Sequence, residues 1–124
     1  MKTPTSELTG AALDWAVAKC ERAGVTGIDS DGNIRIAGNS KFNPSIDWAL
    51  GGLIMERERI GVTPMTVTVG DDRGTRYWFA NHEDTPDFQD GPTVLIAAMR
   101  CFVASKLGNT VNIPDELAML GDEA

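Results

Sequence analysis

A single apolar stretch near the end of the chain constrains the fold more than any other feature. Between residues 94 and 104 every position is apolar except Arg100. A helix that is apolar on all sides has to be surrounded by protein, because none of its faces is suited to contact with water. The sequence therefore predicts a central helix at about 92–107, which begins after a capping Asp90 and ends at Gly108.

Two further helical segments and one hairpin are predicted before this helix. Residues 10–23 carry apolar side chains at helical spacing directly after Thr9, a common N-cap residue. A second helical segment is predicted from a capping Ser45 to about residue 60. Strand-forming residues on both sides of a turn at 71–74 predict a hairpin. These elements predict an α+β fold, with two or three helices packed on a small antiparallel sheet.

The ends of the chain, and the segment between the hairpin and the central helix, are predicted to be less regular. Residues 1–8 are expected to form an extended lead-in or edge strand, and residues 111–113 a short strand. A polar loop is predicted at 81–89, and the acidic tail from about residue 115 is expected to fray. A length of 124 residues fits one domain, so we assign residues 1–124 to a single domain.

The acidic charge of the chain disfavours several classes of partner. Eleven basic residues against eighteen acidic ones give a net charge of −7. Because duplex binding depends on Lys and Arg that displace counterions from phosphates, a role on duplex nucleic acid is disfavoured. No apolar run approaches the roughly 20 residues that span a bilayer, and the polar start of the chain predicts no signal peptide. We therefore expect a cytoplasmic protein that binds neither duplex nucleic acid nor membrane.

Known motifs for catalysis, metal binding and cofactor binding are missing from the sequence. It contains no P-loop, no dinucleotide-binding glycine motif and no GxSxG nucleophile motif. Cys20 and Cys101 stand apart among apolar residues, and therefore predict buried free thiols rather than a zinc site. His82 is the one histidine, and its place in the predicted polar loop predicts an exposed side chain. We therefore expect no metal, no cofactor and no catalytic residue.

Arg100 is the most informative single residue, because it interrupts the otherwise apolar central helix. A guanidinium among apolar side chains needs a carboxylate or a phosphate as its partner. One interpretation is a salt bridge to Asp14, Asp47 or Glu56. A second is a bidentate clamp for an anionic ligand, and a third is a side chain that extends to the surface.

Tryptophans provide the second candidate feature, since the chain has three of them and one tyrosine. Trp15 and Trp48 each follow an aspartate, in the similar steps Leu-Asp-Trp-Ala and Ile-Asp-Trp-Ala. Indole rings beside an arginine suit a base-stacking pocket, and they equally suit the centre of a protein interface. Packing in the core is the alternative interpretation. Gly51 and Gly52, inside the second helical segment, predict a bend or a backbone that lies close to another group.

Three stretches of the chain resemble one protein family. They are ELTGAALDWAVAK at 7–19, PSIDWALGG at 44–52, and IAAMRCFVASKLG at 96–108 followed by VNIP at 111–114. Together they look like the NinX-type proteins of temperate bacteriophages and prophages. The resemblance implies a small phage accessory protein that is made in the bacterial cytoplasm, and it transfers no catalytic residue to this chain.

The leading functional hypothesis is a non-catalytic phage accessory protein that binds a small anionic ligand. The ligand would be a nucleotide or a nucleotide-derived signal of host defence, which the protein would sequester. Arg100 would hold the anion, Trp15 and Trp48 would stack on it or wall the site, and Gly51-Gly52 would allow the backbone to approach. Asp14 and Asp47 are the remaining candidate ligand-binding residues.

Two other classes of function stay open from the sequence. One is a protein–protein interaction module that docks on a host protein, and the other is an enzyme with an unorthodox site at Asp14, Asp47 or His82. Assembly into a homo-oligomer is compatible with each of them.

Overall fold

A computed structural model describes residues 1–69, 72–83 and 88–117 of the chain. Within these residues the helices are separated by runs of antiparallel strands, which confirms the predicted α+β class. The helices are α1 (Gly10–Glu21), α2 (Trp48–Glu58) and α3 (Val94–Leu107), with a short 3-10 turn at Thr5–Glu7. The strands are β1 (Lys2–Pro4), β2 (Val25–Ile28), β3 (Ile34–Ile36), β4 (Ser40–Phe42), β5 (Ile60–Val69), β6 (Asp72–His82), β7 (Phe88–Gly91) and β8 (Thr110–Asn112).

The strands pair antiparallel, as predicted, but they form three small sheets instead of one. β1 pairs with β8, β2-β3-β4 form a second sheet, and β5-β6-β7 form a third. In the third sheet Ile60 lies opposite His82, and Thr63 lies opposite Phe79. β7 adds to the other edge of β6, where Gly91 lies opposite Trp78. The hairpin β5-β6 is longer than predicted, because pairing with β7 and packing against α3 extend regular structure into the polar residues of β6.

The predicted central helix is confirmed as the centre of the core. α3 contacts α1, α2 and the β5-β6-β7 sheet. Phe102 and Met99 are fully buried in it, whereas Ile96, Arg100 and Ala104 form a partly buried stripe along one face. Full burial of one such large side chain contributes about 1.5–3 kcal/mol, which makes α3 the largest single source of apolar burial in the fold. Gly108 ends the helix as predicted, with φ at +90° and its N–H donating to the carbonyl of Ala104.

The start of α3 was predicted wrongly. The helix begins at Val94 after the N-cap residue Thr93, whose hydroxyl accepts the N–H of Ile96 at 3.1 Å. Asp90, the predicted cap, lies in β7 instead. The predicted polar loop at 81–89 is also wrong at both ends, since its first residues belong to β6 and its last residues to β7. Polar residues can form these strands because backbone pairing does not depend on apolar side chains.

The boundaries of the first two helices also differ from the prediction. Thr9 precedes α1 as predicted, but the helix ends at Glu21, where Arg22 adopts a left-handed conformation with φ at 56°. α2 begins after Asp47 and not after Ser45, because the backbone N–H of Ser45 is bound by a side chain of α1. Arg59, with φ at 57°, ends α2 and turns the chain directly into β5.

The two ends of the described chain lie side by side. Thr3 pairs with Val111, which confirms a strand at each predicted place. Leu117 is fully buried, so order extends beyond residue 115; the rest of the tail predicted to fray lies outside the described residues. Of the helices in the described part of the chain, none has the length and apolarity to cross a membrane.

α2 and α3 approach each other closely at Gly51. A Cβ atom added there would overlap the carbonyl oxygen of Pro44 and would lie 2.8 Å from Cδ2 of Leu95. At Gly52 the nearest atom to an added Cβ is in the ring of Trp48, at an ordinary 3.5 Å. The glycine pair was predicted to allow either a bend or a close backbone approach, and the close approach is found at Gly51.

We expect Gly51→Ala to destabilise the protein by about 1–3 kcal/mol, since the added methyl group forces α2 away from its neighbours. Gly52→Ala is the matched control, because the same change there has room and gains up to ~1 kcal/mol of helix propensity. Urea unfolding of both variants measures the difference. Equal stabilities for the two variants would show that the close approach is not a constraint.

Candidate functional site

Arg100 bonds to main-chain carbonyl groups at two places in the fold. Its Nε donates to the carbonyl oxygen of Leu8 at 2.7 Å, and its Nη1 donates to that of Asp90 at 2.8 Å. Burial lowers the pKa of Arg100, against the opposing effect of the nearby Asp90 and Glu7 carboxylates. The interpretation as a salt bridge to Asp14, Asp47 or Glu56 is therefore wrong. Carbonyl oxygens at the end of the 3-10 turn and in β7 accept hydrogen bonds that carboxylates were expected to accept.

Asp14 is a buried carboxylate that joins α1 to the turn before α2. One of its oxygens accepts the backbone N–H of Ser45 at 2.9 Å, and its side chain is only 4% exposed. Burial raises the pKa of Asp14 to about 6, although the backbone N–H and the side chain of Ser45 oppose this effect. At neutral pH the charged carboxylate of Asp14 is therefore buried, and the hydrogen bond from Ser45 stabilises its charge.

Asp47, the aspartate of the second Asp-Trp step, has a different environment. It is the N-cap residue of α2 and accepts the N–H of Ala49 at 2.9 Å. The two Asp-Trp steps are close at one point only. Asp14 bonds to Ser45, two residues before Asp47, but the indole rings of Trp15 and Trp48 line different cavities.

Trp15 lies on α1, beside a shallow polar cavity of about 400 Å³. Its ring is partly buried, and Nζ of Lys19 lies 5.1 Å from the ring centroid. This distance permits a cation–π contact within one helix. Trp15 is thereby paired with Lys19 and not with Arg100.

Trp48 is the exposed tryptophan, with 58% of its surface accessible. It lines a mainly apolar cavity of about 350 Å³, between the start of α2, the start of α3 and strand β6. We call this cavity the Trp48 groove. Its lining residues are Ser45, Ile46, Trp48, Trp78, Pro92, Thr93, Val94, Leu95 and Ile96.

An exposed apolar surface continues from the groove along α2. Ile46 is 70% exposed and Leu53 is 67% exposed, and the exposed Ala49 lies between them. Asp47 follows Ile46 directly in the chain, and the exposed Glu56 follows Leu53 by one helical turn. The result is an apolar strip, formed by Ile46, Ala49 and Leu53, with acidic residues next to it. Such uncovered apolar surface is characteristic of interaction sites.

His82 is buried at the end of β6, so the predicted exposed loop histidine is wrong. Its Nε2 lies 3.6 Å from a carboxylate oxygen of Glu58, and Nζ of Lys106 lies 3.5 Å from the same oxygen. Burial would raise the pKa of Glu58, but hydrogen bonding from Arg57 and the charges of Lys106 and Arg57 lower it. The histidine is buried because the strand register places it opposite Ile60, on the face that covers α3.

The partners of Trp48 could not be predicted from the sequence. Trp78 and the first turn of α3 come together with it only because β6 and α3 are neighbours in the fold. A weaker signal was available for Ile46 and Leu53, which are large apolar residues close to acidic ones on α2. In the described part of the chain, no group of three or more His, Cys, Asp or Glu side chains is arranged to hold a metal ion.

We expect the buried carboxylate of Asp14 to make the protein less stable as the pH rises. Its pKa in the folded chain, about 6, exceeds the ordinary value of 3.8, so the folded state binds the proton more tightly than the unfolded state. Stability therefore falls as pH rises from roughly 4 to roughly 6, by an amount on the order of 3 kcal/mol.

Asp14→Asn tests this expectation, because it retains an oxygen that accepts the N–H of Ser45 and cannot ionise. Urea unfolding at several pH values should show the wild type losing stability relative to the variant between pH ~4 and pH ~6. Parallel pH profiles for the two proteins would contradict the assignment.

Comparison with known proteins adds one finding to this geometry. A family model described as Bacteriophage P22, NinX matches residues 4–106. No curated protein matches the chain. The matched residues include α1, α2 and most of α3. They contain the resembling stretches at 7–19 and 44–52 and most of the stretch at 96–108, whereas 111–114 lies outside the match. Since they also make up most of the chain, it belongs to the Bacteriophage P22 NinX family of phage accessory proteins.

Proposed function

We propose that this phage protein acts without catalysis, by docking a basic, amphipathic segment of a host protein in the host cytoplasm. The exposed Trp48, beside an apolar cavity of about 350 Å³, is the observation that carries the proposal. Tryptophan is enriched among the residues that dominate the energy of protein interfaces. The indole adjoins the exposed Ile46 and an apolar cavity, and contiguous apolar surface of this kind supports a role in binding.

The lining of the Trp48 groove fits an apolar anchor from the partner. Its walls are the rings of Trp48 and Trp78, the side chain of Ile46 and the first turn of α3. The residues named as lining contain no charged side chain. The volume lies at the lower end of the range for binding sites, which leaves room for bulky apolar side chains.

The charges around the groove favour a basic partner. Asp47 lies next to Ile46 and Glu56 lies one helical turn after Leu53, so both acidic residues are close to the apolar strip. The whole chain has a net charge of −7. Lys or Arg residues that flank an apolar anchor would lie beside these carboxylates. Complementary charge of this kind speeds association and selects among partners.

The small-anion hypothesis stays a prediction, and the geometry favours the docking proposal over it. Arg100 already donates to two carbonyl groups, and Trp15 and Trp48 line separate cavities. An enzymatic role for Asp14, Asp47 or His82 also stays a prediction. Asp14 and Asp47 accept the backbone N–H groups of Ser45 and Ala49. Nε2 of His82 lies 3.6 Å from a carboxylate oxygen of Glu58.

A photo-crosslinking residue in place of the exposed Leu53 tests the proposal in host lysate. Mass spectrometry of the trapped peptide should reveal bulky apolar residues flanked by Lys or Arg. Trapping only acidic segments, or none at all, would contradict it. Addition of salt should reduce the yield, because screening weakens attraction between exposed charges.

Binding of the trapped segment, made as a synthetic peptide, should depend on Trp48. We expect Trp48→Ala to weaken the peptide affinity by about tenfold to a hundredfold, as is usual for truncation of a central tryptophan. Phe88→Ser is the matched control, since Phe88 is 59% exposed, much as Trp48 is, and does not line the groove. Equal loss in both variants would exclude the groove as the site.

Thermal-shift measurements with nucleotides, including cyclic ones, separate this proposal from the small-anion hypothesis. The docking proposal expects no nucleotide to stabilise the protein. Stabilisation of the wild type that is lost in Arg100→Lys would overturn it in favour of the anion clamp.

A further inference from the structure

We propose that Asp14 is a positioning residue of the Trp48 groove, because its buried carboxylate fixes the turn that carries Ile46 and leads into Trp48. We call this turn, residues 43–47, the groove turn. The aspartate of the first Asp-Trp step thereby sets the place of the second step. The consequence for binding rests on the docking proposal, whereas the position of the groove turn can be tested in the free protein.

The groove turn is held together by its own backbone. The carbonyl oxygen of Asn43 accepts the N–H of Ile46 at 3.1 Å and the N–H of Asp47 at 2.9 Å. These bonds close the turn on itself, but they do not attach it to α1. Because the turn leads directly into α2, its position also determines where the first residue of that helix, Trp48, enters the groove.

Asp14 attaches the groove turn to α1. One of its carboxylate oxygens accepts the backbone N–H of Ser45 at 2.9 Å, and the two residues are only 4% and 3% exposed. Among the hydrogen bonds of the described residues, those between Ser45 and Asp14 are the ones that join this turn to α1. Removal of the carboxylate would leave a buried N–H without a partner, which is costly in free energy.

Close packing limits the groove turn on its other side. The carbonyl oxygen of Pro44 lies against Gly51 of α2, where there is no room for a Cβ atom. A turn released from Asp14 can therefore move away from α2 but not towards it. Ile46 is 70% exposed, so the backbone of the turn, and not packing, sets the position of its side chain. Movement of the turn would shift this wall of the groove relative to Leu95, which lines it from α3.

Asp14 acts on the groove without lining it. The lining residues include Ser45 but not Asp14, and a residue that is 4% exposed offers almost no surface to a partner. Its influence on binding therefore passes through Ser45. The bond requires an oxygen that accepts an N–H, and an amide oxygen can serve in place of a carboxylate. This distinguishes Asn from Ala at position 14.

Amide hydrogen exchange in the full chain, followed residue by residue by NMR, tests the position of the groove turn without a partner. Asp14→Ala should speed exchange at Ser45 and Ile46 at least about tenfold more than in the β5-β6 hairpin, because loss of one buried hydrogen bond opens the turn locally. Asp14→Asn should restore slow exchange, since its amide oxygen accepts the same N–H.

Val111→Ala is the matched control, because it also truncates a buried side chain, in the β1-β8 sheet, and does not line the groove. It should speed exchange without preference for the groove turn. Asp14→Ser is the second variant, for use where Asp14→Ala does not fold, since its shorter side chain reaches Ser45 only if the turn moves. Exchange at Ser45 that is no faster in these two Asp14 variants than in Val111→Ala would overturn the proposal.

Affinity for the photo-trapped peptide measures the consequence for the groove. Asp14→Ala should weaken it about threefold to tenfold, because only molecules with the turn in place bind, whereas Asp14→Asn and Val111→Ala should stay within about twofold of the wild type. Full affinity in Asp14→Ala, together with loss of binding in Trp48→Ala, would overturn the positioning role and leave the docking proposal standing. If no peptide is trapped, the docking proposal fails, and the exchange rates still decide whether Asp14 holds the turn.

Discussion

The burial of α3 over most of its surface is the constraint on which the rest of the structure depends. Helices and a sheet have to enclose it, because an apolar helix exposed on one face would lose a large part of the free energy of folding. Arg100 is the one charged residue near the centre of α3, and its guanidinium needs hydrogen-bond acceptors. It donates to the carbonyl groups of Leu8 and Asp90, and these bonds join the start of α1 and the edge strand β7 to the helix. A residue that suggested a ligand clamp thus contributes to holding three elements together.

The apolar strip of Ile46, Ala49 and Leu53, together with the Trp48 groove, remains uncovered in the described part of the chain. Asp47 and Glu56 lie next to this strip, and acidic residues beside an apolar surface favour a basic partner. The groove depends on α3, since the first turn of this helix completes its wall.

The two Asp-Trp steps show how far tertiary context changes the chemistry of one dipeptide. Asp14 is enclosed between α1 and the turn before α2, and burial raises its pKa to about 6. Asp47 lies at a helix start, where it caps a free N–H group. The indoles differ as well, since Trp15 is partly buried beside Lys19 while Trp48 is exposed. The two dipeptides differ in how deeply the fold buries them, and the local sequence does not determine that burial.

The sequence by itself determined the class of fold, the central helix with its end at Gly108, the close approach at Gly51 or its neighbour, and the family. Each of these follows from local spacing, from turn residues or from a long stretch of pattern. Tertiary structure alone decided the burial of His82, the strand at Phe88–Gly91, the partners of Arg100 and the meeting of Trp48 with Trp78. These features arise from contacts between residues far apart in the chain, where strand register and helix packing, and not neighbouring residues, determine which groups meet.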